Sequence, residues 1–157
     1  MIVRRAARAI VLDPRDRILL VLFRSPETGE EWWATPGGGL EPDEAPEVGL
    51  RRELAEETGL EDGEFGRVVW ERRHSFRWAG ETIDQSETYV VIRVPEFEPK
   101  PQFTPEELLR EGVHDVRWWT LDELAASDAN FAPTRIVGFL RQLLEQGPPS
   151  APIDVGV

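Results

Sequence analysis

Between Arg52 and Glu57 the chain sets three carboxylates and one guanidinium into six residues, Arg52-Glu53-Leu54-Ala55-Glu56-Glu57. The run lies in a segment from Glu44 to about Thr58 whose composition predicts a helix, with Asp43 placed to cap its start and Gly59 to stop it. With Arg52 as zero on a helix, Glu56, Glu53 and Glu57 fall at about 40°, 100° and 140°, so all four charges share one face. The apolar positions Val48, Leu50, Leu54 and Ala55 make no single stripe, which leaves tertiary packing to choose the buried ones. Like charges at neighbouring helix positions cost stability, so the face needs a compensating partner. A solvated acidic helix is one answer. A hard divalent cation is the other, because it takes carboxylate oxygens and leaves positions for water and substrate phosphates. Just upstream, Pro36-Gly37-Gly38-Gly39 allows bare backbone to approach the same place, where a carbonyl can complete a coordination shell.

Composition narrows the chemistry further. With no cysteine, a disulfide scaffold, a cysteine zinc site and a cysteine nucleophile are all excluded. Two histidines, His74 and His114, cannot build a histidine-rich metal site, so a bound metal must take oxygen ligands, which suits magnesium or manganese. Thirty acidic against 18 basic residues give a net charge of −12, which disfavours a nucleic-acid polymer or an anionic membrane as partner. The apolar runs Ile18 to Phe23 and Tyr89 to Ile92 fall far short of the roughly 20 residues of a membrane helix. The N-terminus carries no signal-peptide pattern, and a cytoplasmic location is expected.

The element pattern predicts an α/β (α+β) layered domain. Ala6 to Leu12 and Arg17 to Phe23 read as a hairpin around Asp13-Pro14-Arg15-Asp16, and Phe65 to Arg73, Glu87 to Val94 and Val113 to Trp119 read as strands. Thr104 and Thr120 head short capped helices, and Pro133 to Leu144 carries Ile136, Phe139, Leu140, Leu143 and Leu144 at helical spacing. With 157 residues one core is expected, in a single domain over residues 1 to 146 with a flexible tail at 147 to 157.

The acidic helix is part of a longer pattern, G-x5-E-x7-R-E-U-x-E-E-x-G-U with U apolar, met at Gly38, Glu44, Arg52, Glu53, Leu54, Glu56, Glu57, Gly59 and Leu60. Chance coincidence of these nine positions has odds on the order of 10⁻⁶. The segment resembles the signature of the Nudix hydrolases at every defined position. The resemblance implies an α/β/α sandwich with a mixed β-sheet, and hydrolysis of a nucleoside diphosphate linked to another moiety with magnesium or manganese. It implies Glu53, Glu56 and Glu57 as metal ligands with the Gly38 carbonyl, Arg52 as the residue that orients Glu53, and Glu53 as the first choice of general base. Glu87, Glu106, Glu107 and Glu111 are the other candidate bases. Members of the family often form homodimers.

Substrate choice lies outside that signature. Phe76 and Arg77 stand where subgroups specific for dinucleoside polyphosphates or ADP-ribose carry a tyrosine or a proline. Arg73, Phe76, Trp78, Gln85 and Glu87 are the candidate substrate-binding residues. Trp78 beside Gly80 is a candidate for stacking on a base, and Gln85 and Glu87 alternate on one strand face. The expected substrate is a small nucleotide, with nucleoside triphosphates or modified nucleotides first. Dinucleoside polyphosphates, ADP-ribose or nucleotide sugars are alternatives, and a nucleotide-sensing module without turnover is the non-enzymatic one.

Overall fold

In the computed structural model, which describes residues 1–157, nine strands and four helices follow one another along the chain. They are β1 (Ile2–Leu12), β2 (Ile18–Arg24), β3 (Glu31–Ala34), β4 (Gly37–Gly39), α1 (Pro46–Thr58), β5 (Glu64–Trp78), β6 (Glu81–Arg93), α2 (Pro105–Arg110), β7 (Val113–Trp119), α3 (Leu121–Ala126), β8 (Phe131–Ala132), α4 (Ile136–Gln146) and β9 (Ile153–Asp154). The strands form one mixed sheet in the order β8-β3-β2-β1-β6-β5-β9, with β4 against β1 and β7 against β2. No helix is long and apolar enough to cross a membrane.

The alternation of β1 explains the layering. Ala7, Ala9 and Val11 face Leu50 and Leu54 of α1, while Ile10 and Leu12 face the other way, into a core with Leu124 of α3 and Ile136, Leu140 and Leu143 of α4. The sheet is therefore packed between α1 on one side and α3 with α4 on the other. Leu50 and Leu54 are the members of α1 that tertiary packing selects, both about 1 % exposed, each contributing roughly 1.5–3 kcal/mol by burial. Val48 stays in solvent.

Several local readings shift. β1 and β2 pair only at Leu12↔Ile18, after which they part: β1 runs parallel to β6 over its whole length, and β2 takes β3 and β7. Because Ile18 to Val21 are buried on both faces, β2 can serve as an interior strand rather than one arm of a ribbon. The glycine run forms a short strand, with Ala6↔Gly39 and Arg8↔Gly37 in antiparallel register. Gly37 has φ 137°, and a Cβ there would run into the Ala7 carbonyl oxygen, so only glycine brings this backbone so close to β1. α1 starts at Pro46, with Ala45 as N-cap and no side-chain cap, because proline at the first helical position needs no N–H partner and fixes φ. Asp43 does not cap it. Both threonine capping boxes form as expected, Thr104 on α2 and Thr120 on α3.

The loose tail expected from residue 147 is corrected in part. β9 adds to β5 through Trp70↔Ile153 and Glu71↔Asp154, and Val155 is buried against the α4 core. Ile153 and Val155 flank an exposed Asp154, a strand alternation too short to read against the surrounding proline and glycine.

Candidate functional site

On the α4 side of the sheet, beyond the point where Ile10 and Leu12 enter the core, an open cleft of about 810 Å³ separates the two wings of the sheet. One wall is acidic: Glu53 and Glu57 from α1, the Gly37–Gly39 strand, and Glu111 from the turn after α2. The other is basic and aromatic: Arg4 and Arg8 from β1, then Arg72, His74, Phe76 and Trp78 from β5.

In the acidic wall α1 presents Glu53 and Glu57 one turn apart, while β4 crosses in front of them. Glu57 is 3 % exposed, and its Oε1 accepts the Gly37 N–H at 3.1 Å. Its Oε2 is buried without any hydrogen-bond partner. Burial first, and the neighbouring Glu53 charge second, push the Glu57 carboxyl well above the ordinary carboxylate range, against the pull of Arg8 and the Gly37 N–H. Glu53 is raised as well, by burial and then by Glu56, and Glu56 is raised by burial and by Glu111 and Glu107. A Cβ on Gly38 would stand 3.1 Å from the Glu53 carboxylate, so the absent side chain leaves room against it. Glu53 and Glu57, both with raised proton affinity and one holding an orphaned oxygen, leave this wall short of positive charge.

Those residues fit a hard divalent cation in their donor chemistry, with carboxylate oxygens of Glu53 and Glu57 beside a bare glycine backbone. They are not drawn together as a finished site: no group of three or more His, Asp or Glu side chains stands close enough to hold a metal ion. Glu56 does not line the cleft, and Arg52 lies behind the wall. Arg52 makes its closest ion pair with Glu44 and reaches Glu53 Oε1 at 3.4 Å, so it tethers Glu53 to the N-terminal end of the helix. Glu44 in turn accepts the Glu41 N–H at 3.0 Å, which gives it a structural role.

Sheet register builds the opposite wall. β1 beside β6 and β6 beside β5 put Arg4, Gln85 and His74 in one row, Ala6, Glu87 and Arg72 in the next, and Arg8, Tyr89 and Trp70 in the third. Glu87 sits at the centre with no side-chain exposure. Its Oε2 accepts Arg8 Nε at 2.8 Å and Gln85 Nε2 at 2.9 Å, and its Oε1 accepts Arg72 Nη1 at 2.8 Å and the Tyr89 hydroxyl at 3.3 Å. Burial alone would raise this carboxyl, but Arg8, His74 and Arg72 overcome it and hold it far below the usual range. Burial, together with the Glu87 charge, pushes the Tyr89 phenol well up. Gln85 also accepts a close hydrogen bond from Arg4 Nε.

The structure thus brings Gly38, Glu53 and Glu57 together with Phe76 and Trp78 in one cleft. Phe76 stacks on His74 with centroids 4.9 Å apart, and Trp78 meets Trp32 edge-on at 6.3 Å. Gln85 and Glu87 are buried behind the wall and hold its arginines, and Arg73 points out of the cleft, paired with Asp84 at 2.8 Å. Glu106 and Glu107 belong to α2, where Glu107 closes the capping box; of the candidate bases on this element only Glu111 reaches the cleft. Sequence reasoning missed Arg4 and Arg8. The signal was there in the two-residue spacing Arg4-Ala6-Arg8 leading into Ile10 and Leu12, which on a strand puts both guanidinia on the core face.

The family model described as NUDIX domain matches residues 3–141. Among curated proteins, the RNA pyrophosphohydrolase of Zymomonas mobilis is 45 % identical over 56 residues, which is 36 % of this chain and 36 % of that protein. The match therefore spans about a third of that relative's length. The crystal structure of a MutT NUDIX hydrolase from Burkholderia pseudomallei superposes with a TM-score of 0.60 at 27 % identity, covering 91 % of this chain and 99 % of that one. The NUDIX domain of Shewanella oneidensis NrtR, crystallised with ADP ribose, shares the fold at TM-score 0.66 and 20 % identity, covering 92 % and 90 %.

Proposed function

This chain belongs to the NUDIX domain family, and from that premise we propose that it is a divalent-metal-dependent pyrophosphohydrolase that cleaves a nucleoside diphosphate linked to another moiety, nucleoside triphosphates or modified nucleotides being the favoured class. The observation that carries the reading is the buried, unpartnered Glu57 oxygen in an acidic wall facing arginines and aromatics across one cleft. A buried carboxylate without a partner costs several kcal/mol, so it either takes up a proton, as the raised Glu57 carboxyl tends to, or is completed by a cation. Magnesium or manganese held by Glu53 and Glu57, with Glu56 and the Gly38 carbonyl as further ligands, would screen the phosphates and lower the pKa of an attacking water.

The chain's own residues supply the rest. Water attacks one phosphorus, the anhydride P–O bond breaks, and the attacking water gives up a proton. Glu53 is our candidate to take it, because its carboxylate stands on the cleft wall against the bare Gly38 backbone. Glu111, on the same wall, is the second candidate. Glu87 is unsuited to that role, since both its oxygens are engaged by Arg8, Arg72, Gln85 and Tyr89 and its proton affinity is very low. Phe76 and Trp78 offer apolar faces to a base.

The test is product release across canonical and oxidised nucleoside triphosphates, ADP-ribose, diadenosine polyphosphates, nucleotide sugars and NADH, in magnesium and in manganese. Turnover of one member with a nucleoside monophosphate as product is the expected result. Binding without turnover across the panel would overturn the enzyme reading in favour of a nucleotide sensor.

A further inference from the structure

The basic wall ends in a tip that crosses the cleft. β5 and β6 lie on one side of β1 in the sheet, β2 and β3 on the other, and β7 pairs with β2, so no strand ladder joins β5 to that second wing. Yet the far end of the β5 and β6 hairpin, turned tightly by Ala79 and Gly80 at φ 50° and 82°, touches it at three places. Glu27, in the loop between β2 and β3, accepts the Gly80 N–H and stands 3.7 Å from Arg77 Nε. Trp32 of β3 meets the Trp78 ring edge-on and stacks on Phe23 of β2 at 6.1 Å. Gly112, in the turn after α2, lies against the Trp78 ring: a Cβ there would stand 2.9 Å from Cζ2 and closer still to Cη2.

Gly112 does three things at once. Its φ of 76° ends α2, its N–H returns to the Leu109 carbonyl at 3.1 Å, and its carbonyl accepts the Arg24 N–H at 2.9 Å, which ties the turn to the end of β2. The residue before it is Glu111, which enters the cleft. The backbone that carries Glu111 is gripped on one side by β2 and on another by the Trp78 indole. A tryptophan that only filled a core would be buried, as Trp70 and Trp119 are. Trp78 is half-buried on a hairpin tip and packs against the opposite wing.

We propose that Trp78, seated on Gly112 and latched by Glu27, is a clasp that fixes the separation of the two walls and holds Glu111 in place against the acidic one. Trp78, Gly112 and Glu27 are positioning residues in this account, and they act through the Glu111 carboxylate. Because a side chain makes every link, the clasp comes undone by local opening, with the sheet intact. The effect on rate rests on the cleft being the pyrophosphohydrolase site, but the clasp itself is read without turnover.

The experiment is a double-mutant cycle on the full chain with Trp78→Ala and Gly112→Ala, followed by NMR amide hydrogen exchange in EDTA. Either change is expected to speed exchange of the Gly80 amide about 10-fold or more, although neither removes its bond to Glu27, while the β1 and β6 ladder stays protected. The double variant is expected to exchange at Gly80 no faster than Trp78→Ala does, since the added methyl then has no ring to displace. Unchanged Gly80 exchange in Gly112→Ala, or fully additive effects in the double variant, would overturn the clasp. On the substrate that the panel turns over fastest, Gly112→Ala is expected to lower kcat about 10-fold or more and to leave KM within about 2-fold. A raised KM with kcat unchanged, or unchanged kinetics beside accelerated Gly80 exchange, would overturn the link to Glu111. Should Gly112→Ala fail to fold, Trp78→Ala, which alters only a half-buried tip, carries the same exchange and kcat expectations. A panel without turnover removes the proposed activity and leaves the exchange cycle to decide the clasp, so the two readings fail separately.

Discussion

Glu57 and Glu87 are both glutamates buried to within 3 % of full exclusion, one in the acidic wall of the cleft and the other behind the basic wall, and their environments push their proton affinities in opposite directions. Glu57 has one backbone N–H and a second carboxylate for company; Glu87 has two guanidinia, an amide and a hydroxyl. Burial is common to both, so burial does not decide what a buried acid is for. The partners decide. A carboxylate whose oxygens are filled by the protein is finished and holds other groups in place, whereas one left with a bare oxygen beside another acid is completed by something from outside.

The contrast can be broken by mutation. The largest effect expected is on stability: Glu87→Ala strands two buried arginines and should cost about 3–5 kcal/mol, lowering Tm by roughly 10 °C in a chain of this size. Glu57→Gln removes an unpaired charge and should leave the metal-free protein as stable as wild type or more so. Denaturant midpoints in EDTA check both, and equal losses would erase the distinction. Next in size, Glu57→Gln should lower kcat on the preferred substrate by on the order of 10²-fold or more with the fold intact, as loss of a charge-stabilising group does. Magnesium at about 100 times its Kd should then add about 2.7 kcal/mol to wild-type stability and clearly less to Glu57→Gln; identical Tm shifts would mark the binding as nonspecific.

The smallest effect is in the pH dependence. Glu57, Glu53 and Glu56 have raised carboxyls in the folded state, so the fold holds protons that the unfolded chain releases first. Stability they contribute is present below the ordinary carboxylate value near 4.5 and is lost as pH rises toward their folded values. Glu87 has the opposite sign: its contribution is present above that value and is lost only in strong acid. Wild-type protein in EDTA should therefore lose stability as the pH rises above the ordinary carboxylate value, Glu57→Gln should lose less, and magnesium should flatten the wild-type curve. Tm against pH in the two buffers sharpens the comparison.

How legible each wall is from sequence follows from how it is assembled. The acidic wall is local: Glu53 and Glu57 sit one turn apart on a helix, and the glycine strand precedes it by a few residues, so spacing alone puts them together. The basic wall depends on register. Arg8 and Glu87 are 79 residues apart and meet only because β1 runs parallel to β6, a pairing that nothing in either segment announces. The same limit produced the hairpin expectation for β1 and β2, where a good turn at Asp13 to Asp16 is real but joins strands that part after one pair. The start of α1 moved because Pro46 outcompetes Asp43 as a helix signal. β9 was hidden because its pairing with β5 is set by the sheet edge rather than by its own two residues.

The central claim, that Glu57 awaits a cation while Glu87 is already satisfied, is tested most directly by following the glutamate side-chain carboxyls by carbon-13 NMR through a pH titration, with EDTA and then with magnesium. The account predicts that without metal the Glu57 carboxyl titrates above the ordinary carboxylate range, that magnesium removes that titration, and that Glu87 stays ionised throughout in both buffers. A Glu57 carboxyl that titrates in the ordinary range, or one that magnesium leaves unmoved, would contradict it.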